Sequence, residues 1–496
     1  MRERVREALG QAFIDTVLGP RLVADAASSL GALIDASKAH LVMLHRQGLI
    51  QPEAARLVGS ALRRIEREGL APERLDPARE DLYANLEFAV REAVGEDAAG
   101  RIHLGRSRND LGATVARMNA RALLGWTAAS ILDLRERLLA LAGRHAETII
   151  PGYTHLQPAQ PITIGFYLAG VERAVARDWE RLWDAHARVD LCPLGAGALA
   201  GTSFSIDREL MARLLGFARP LANALDAVAS RDYVLEILSG FAGLALMLAR
   251  LAEDLYLWSS TELGYADVSG AVAIASSIMP QKKNAAAIEH VKGRAGAVVG
   301  ALAAALTATK GTHFMHSRDT SVEVVAPLGE AERALGVMLA LITAVLDAIS
   351  FRPDVGRARA AADFSTVTDL ADALVRECDL PFRVAHEICA VLVREAVDVG
   401  HGPESIHADR VNAVAGARAG RPIALDEATV RDALDPEASV GRRRHLGGPA
   451  PDTVREAIGR AASQVAADRA RLEARQAPLA AARAELERAL AQIIGD

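Results

Sequence analysis

YVLEILSGFAGLALMLARLAEDLYLW, residues Tyr233–Trp258, decides the fold. Apolar residues recur in it at three- and four-residue spacings, the period of an α-helix. They cover nearly every side, so this helix is buried inside a bundle instead of lying on its surface. The longest apolar run, Ile237–Ala249, reads as too short to span a bilayer, with Glu236, Arg250 and Glu253 around it. Ala286–Thr309 repeats the pattern, and Ala120–His145, Phe166–Ala187 and Ala331–Ile349 carry the same period. Alternating strand-like runs are scarce. The chain therefore reads as all-α, with long helices through its middle third.

Breakers mark the joints. Pro151-Gly152 and Pro158 to Pro161 bracket a loop, Pro193–Gly201 form a Gly/Ala-rich loop, and Gly311–Asp319 separate two helices. Shorter, more polar elements begin near Pro353. The expected division is an N-terminal helical domain at 1–105, a central bundle at 106–352 and a C-terminal helical domain at 353–496. A terminal extension from about 461 reads as a helix or hairpin broken near Pro478.

Composition excludes several classes of function. The net charge is −6 over 496 residues, which gives no footprint for nucleic acid or an anionic membrane. Three cysteines, Cys192, Cys378 and Cys389, lack metal-ligand spacing and demand no oxidising compartment. The charged start Met-Arg-Glu-Arg-Val-Arg-Glu lacks the apolar core of a signal peptide, so the expected location is cytoplasmic.

Four segments carry chemistry. Ser276-Ser277-Ile278-Met279-Pro280-Gln281-Lys282-Lys283-Asn284 puts two hydroxyls, two ammoniums and an amide after a small-residue run. Such a loop lets a hydroxyl approach substrate while lysines face developing negative charge. His103-Leu104-Gly105-Arg106-Ser107-Arg108-Asn109-Asp110 offers groups that grip a carboxylate, although taken alone it reads first as a capped helix start with exposed arginines. Gly152–Pro161 sets Thr154 beside His155 in a proline-rich loop. Pro193–Thr202 contains Gly195-x-Gly197, but no strand precedes it and no βαβ unit surrounds it, so a dinucleotide site is not expected. His313 and His316 have no third ligand nearby, and Ser276 sits in no Gly-x-Ser-x-Gly elbow.

Together these segments resemble argininosuccinate lyases of the fumarase/aspartase superfamily, from about residue 30 to residue 460. Ala36–His40, Asp226–Val228, Ser230–Asp232 and Gly447–Pro451 keep the register. The resemblance implies a three-domain, mainly helical subunit with a long central bundle, assembled as a homotetramer whose active sites are shared between subunits. It implies carbon–nitrogen lyase chemistry without cofactor or metal, on an N-substituted aspartate that yields fumarate and an amine.

By motif position, Ser276 is then the general base. Lys282 and Asn284 stabilise the aci-carboxylate, and His155, oriented by Glu289, gives a proton to the leaving nitrogen. Ser107, Arg108, Asn109 and Thr154 hold the succinyl carboxylates, with Ser37, His316 and Ser321 completing the substrate side. The departures cluster on the amine side, where the family's Tyr, Gln and second Lys become His316, Ser321 and Val324, and its Pro-Asp becomes Ala285-Ala286. An amine other than arginine is the resulting expectation. Argininosuccinate lyase proper, a non-catalytic structural homologue and a fumarase-type C–O lyase are the alternatives.

Overall fold

Ser107 starts the central bundle. A computed structural model describes residues 7–495, and the charged start Met1–Arg6 lies outside them. Before Ser107 come α1 (Gly19–Arg46), α2 (Pro52–Glu68) and α3 (Leu82–Val94). Their apolar faces meet around Leu41, Met43, Val58, Leu62 and Leu86.

The Ser107 hydroxyl accepts from Asn109 N at 3.3 Å, while the Asp110 carboxylate accepts from Ser107 N at 2.9 Å. This reciprocal cap satisfies donors that a helix start leaves open. It launches α4 (Arg108–Arg144), and a short hairpin returns the chain into α5 (Ile164–Val189). Helices α6 (Asp232–Trp258), α7 (Ala286–Thr309) and α8 (Ala326–Ala348) follow. One apolar core joins all five, from Ile131 and Trp179 through Phe241 and Ile288 to Ile342. A separate core around Leu374, Ile388 and Val411 is built by α9 (Val367–Cys378), α10 (Phe382–Asp398) and α11 (Ala408–Ala419).

The last helix, α12 (Pro451–Ile494), differs from expectation. It is continuous through Pro478, not broken there. Arg475 stacks on the Trp183 ring at 3.2 Å, and Leu479 packs over Gly216, so contacts on both sides of the proline hold the helix. Its first half joins the central core through Ala461, Val465 and Leu472, and its end joins the N-terminal core through Leu486 and Leu490.

The Pro151–Pro161 segment is also not a loop. Strand β1 (Ile149–Thr154) pairs antiparallel with β2 (Gln157–Thr163). Further two- and three-residue strands are β3 (Ala266–Val268), β4 (Ile274–Ala275), β5 (Lys283–Asn284) and β6 (Ile349–Phe351). Leu191–Cys192 is a two-residue strand that pairs in parallel with Arg219–Pro220, so a strand does precede Gly195.

Three helices are long and apolar enough to cross a membrane: Gln11–Arg46, Asp232–Trp258 and Ala286–Thr309. This corrects the impression left by the run Ile237–Ala249. About half of the most apolar window of α6 is buried within the subunit, and less of α7. Leu246, Leu257, Val299 and Leu306 stay exposed along these two helices.

Candidate active site

The bundle has two ends, and each carries part of the expected chemistry. Arg117 of α4 donates to the carbonyls of Arg188 and Val189, and Arg188 of α5 pairs with Glu236 of α6. These contacts bring the start of α4, the end of α5 and the start of α6 together. At the opposite end the Tyr153 and Tyr265 hydroxyls pair, the Tyr167 ring meets Trp258 at 4.6 Å, and Tyr256 donates to Glu289 at 3.1 Å.

Ser276 lies at the second end. Strands β4 and β5 pair Ala275 with Lys283, so Ser276–Lys282 close a tight loop. The loop is pinned by Ser276 N donating to Lys282 O at 3.3 Å and Lys282 N donating to Met279 O at 3.0 Å. The Ser276 Oγ accepts backbone N–H bonds from Met279 at 3.0 Å and Ile278 at 3.4 Å. Donors aimed at an oxygen favour its charged form over its neutral one. The two lysines differ. Lys283 is tied to Asp267 at 2.7 Å, while Lys282 is exposed and has no ion-pair partner among the described residues.

Thr154 and His155 occupy the exposed tip of the β1–β2 hairpin. His155 and Leu156 have φ of 55° and 58°, the left-handed region that Gly or Asn normally fills in such two-residue turns. Backbone held that way costs free energy and concentrates at functional positions. Within one chain Glu289 meets Tyr256, and no bond joins it to His155 among the described residues. Their expected pairing is not formed inside a single subunit.

The carboxylate-gripping segment lies at the first end. Asn109 Nδ2 donates to Ala198 O at 3.0 Å. Asp110, fully buried, accepts from Gly195 N at 2.9 Å and Gly197 N at 3.0 Å, so it ties the Gly/Ala loop to the start of α4. Burial pushes its carboxyl upward, and the backbone donors oppose that. Gly195 and Gly197 have φ of 86° and 62°, and a Cβ on Gly197 would stand 2.7 Å from Gly201 O. The Gly-x-Gly therefore serves this loop, not a nucleotide. Asp110 was legible only as the acidic partner of a capping box, and Gly195 and Gly197 as turn residues.

Two of the residues expected on the substrate side are engaged by the protein itself. Arg108 is held by Glu80 at 2.8 Å and Asp81 at 3.3 Å, so its charge is already compensated by carboxylates. Ser37 is 2% exposed, and its hydroxyl takes a long bond from Arg106 Nη1 at 3.4 Å. It faces protein, not solvent, because α1 packs this side against α3 and the 103–107 turn.

His316 and Ser321 are half-buried on the loop before α8. Burial first, then Arg231 and Arg318, hold the His316 ring below its ordinary value. Val324, where the resemblance expects a lysine, is 1% exposed.

One chain cannot assemble these parts. Helix α4 has 37 residues and so is about 55 Å long at ~1.5 Å per residue. Ser107 caps its start, Arg108 and Asn109 lie in its first turn, and the His155 hairpin follows its end. The six residues of β1 reach back at most about 20 Å.

A family model described as "Lyase" matches residues 25–300, and one described as "Argininosuccinate lyase C-terminal" matches 364–441. Argininosuccinate lyase 1 of Shouchella clausii is 39% identical over 465 residues, covering 94% of this chain and 93% of that protein. Argininosuccinate lyase of Methanosarcina acetivorans is 39% identical over 425 residues, covering 85% and 84%. Among solved structures, EDDS lyase in complex with formate superposes with a TM-score of 0.88 at 33% identity, covering 99% of this chain and 97% of that one. On these matches, over most of its length, the chain belongs to the argininosuccinate lyase branch of the fumarase/aspartase superfamily and is a carbon–nitrogen lyase.

Proposed function

We propose that the protein eliminates fumarate from an N-substituted L-aspartate whose amine part is not arginine. The observation that carries this reading is the contrast between the two halves of the site. The half that makes fumarate keeps its parts: Ser276 with two backbone donors, unpaired Lys282, Asn284, and the capped Ser107 and Asn109. The half that faces the amine has lost polar groups, with Val324 and Ala286 buried and Ser321 in place of a longer amide. A site that leaves a substrate's polar groups unpaired rejects it strongly, by roughly 1–3 kcal/mol for each group.

In the proposed reaction Ser276 alkoxide takes the proton from the carbon β to the nitrogen. The carbanion is delocalised into the adjacent carboxylate, whose charge Lys282 and Asn284 offset. The C–N bond then breaks, its electron pair leaves with nitrogen, and His155 supplies the proton. The same site allows the reverse addition of an amine to fumarate.

The hairpin and the carboxylate turn lie at opposite ends of α4, so the reading requires several chains. We infer a homotetramer in which the exposed apolar faces of α6 and α7 pack against other copies, as a cytoplasmic metabolic enzyme. A second reading, argininosuccinate lyase proper, is favoured by the names of the 39%-identical relatives. The EDDS lyase chain, 33% identical, supports the first, because its name gives a different substrate for the same fold. Incubating the purified protein with fumarate and a panel of amines, and following loss of fumarate absorbance, tests the proposal. Consumption with some amine but not with arginine supports it. Consumption with arginine alone overturns the proposed specificity.

A further inference from the structure

The end of α12 reaches a buried charge that nothing in the reaction uses. Lys38, on α1, is fully buried, and its ammonium donates to Glu66 of α2 at 2.5 Å and to Glu487 of α12 at 2.6 Å. Asp35, Glu66 and Glu487 offer oxygens within 4.8 Å of one another, with the Lys38 ammonium bonded to two of the three residues. Burial pushes the Asp35 carboxyl upward. Helices α2 and α12 touch closely beside this cluster, since a Cβ on Gly59 would stand 2.8 Å from Ile494.

The side of α1 turned away from Lys38 holds the turn before α4, since positions 37 and 40 lie about 100° and 160° round the helix from position 38. Ser37 accepts from Arg106, and His40 Nε2 bonds Leu104 O at 3.0 Å. Tyr83 of α3 bonds the His103 ring from the other side. Segment 103–107 thus hangs on side chains at positions 37 and 40, one and two residues from Lys38. It ends at Ser107, the cap that orients Asn109.

We infer that α12 is a positioning element of the fumarate clamp: Glu487, through Lys38, anchors α1 from one side, and the opposite side of this rigid helix holds residues 103–107, and with them Ser107 and Asn109. This rests on reading Ser107 and Asn109 as carboxylate-binding. The geometry is that of a packed chain of contacts, the form in which coupling between separated sites is carried. A buried ammonium between two helices is sensitive to loss of either carboxylate, because a charge left unpaired there drives rearrangement.

The test compares the full-length wild type with Lys38→Met, Glu487→Gln and, as a control on the same helix, Arg469→Gln, which breaks an exposed pair with Asp133 and Glu136. Fumarate binding is measured by calorimetric titration. Hydrogen exchange of residues 103–111 is followed by mass spectrometry. Lys38→Met is expected to weaken fumarate about tenfold, within the usual range of coupling between sites. It should also raise exchange in 103–111 while the rest of α4 stays protected, and KM should rise with kcat little changed. Glu487→Gln should act in the same direction more weakly, and Arg469→Gln should change neither readout. If Lys38→Met does not fold, Glu487→Gln, which keeps the pair to Glu66, decides. Wild-type exchange in 103–111 for a folded Glu487→Gln variant overturns the inference. A wild type that binds no fumarate overturns the proposed function instead, and the exchange measurement still decides this one.

Discussion

In the proposed reaction Ser276 is the base, and because a serine hydroxyl is a weak base in water that role leans on its loop. Two backbone N–H groups point at its oxygen, and the free ammonium of Lys282 lies in the same loop. We expect Ser276→Ala to lower fumarate formation by at least ~10²–10⁴-fold, the usual cost of losing a general base, with unchanged circular dichroism. Lys282→Met should chiefly lower kcat, because the charge it meets develops only in the transition state. Arg108→Met should behave differently, since that guanidinium also ties Glu80 and Asp81 to the start of α4. Away from the site, burial and then Arg475 push His186 down to about 4. Its folded value lies below the ordinary value of ~6.5, so the unfolded chain takes up the proton first as pH falls. The stability contributed by neutral His186 is present above ~6.5 and is lost on acidification toward 4. The stability advantage of wild type over His186→Gln should therefore shrink between pH 7 and pH 5, by at most ~1.4 kcal/mol per pH unit, in urea titrations. Ser276 and Lys282 were legible as a motif. The strained turn at His155 was not, because His-Leu carries none of the Gly or Asn that announces a left-handed turn.

Long helices were legible because apolar residues repeat at the helical period, and α6, α7 and α8 run close to where that pattern placed them. The hairpin β1–β2 was hidden by its prolines, which read as loop. Helix α12 was misread at Pro478 because a proline in a helix removes a hydrogen bond, and the packing that offsets this loss comes from distant residues. The same helix is locked to the bundle by a fully buried Arg135, which donates to Glu172 at 2.7 Å and Asp468 at 2.9 Å. Arg135→Met leaves the buried Glu172 without a cation and Asp468 with Arg471 alone, at 3.1 Å, and we expect it to cost about 3–5 kcal/mol. A urea midpoint within error of wild type would show that these carboxylates are relieved some other way.

At the scale of the whole molecule, the residues of the proposed site lie at bundle ends that one chain keeps roughly 35–55 Å apart. Light scattering should therefore report a tetramer. Mixing inactive Ser276→Ala with inactive His155→Asn subunits should restore part of the activity, since some mixed sites draw both intact groups from different chains. A fully active monomer would remove the basis for shared sites. The central claim is narrower: the fumarate-forming half is retained while the amine half is rebuilt for something other than arginine. Its most direct test is the wild-type kcat/KM for argininosuccinate beside a panel of other N-substituted aspartates, read by fumarate absorbance. We expect argininosuccinate to fall at least about a hundredfold below the best member of the panel. A value for argininosuccinate of ~10⁴ M⁻¹s⁻¹ or above, unmatched by any other member, would contradict the account.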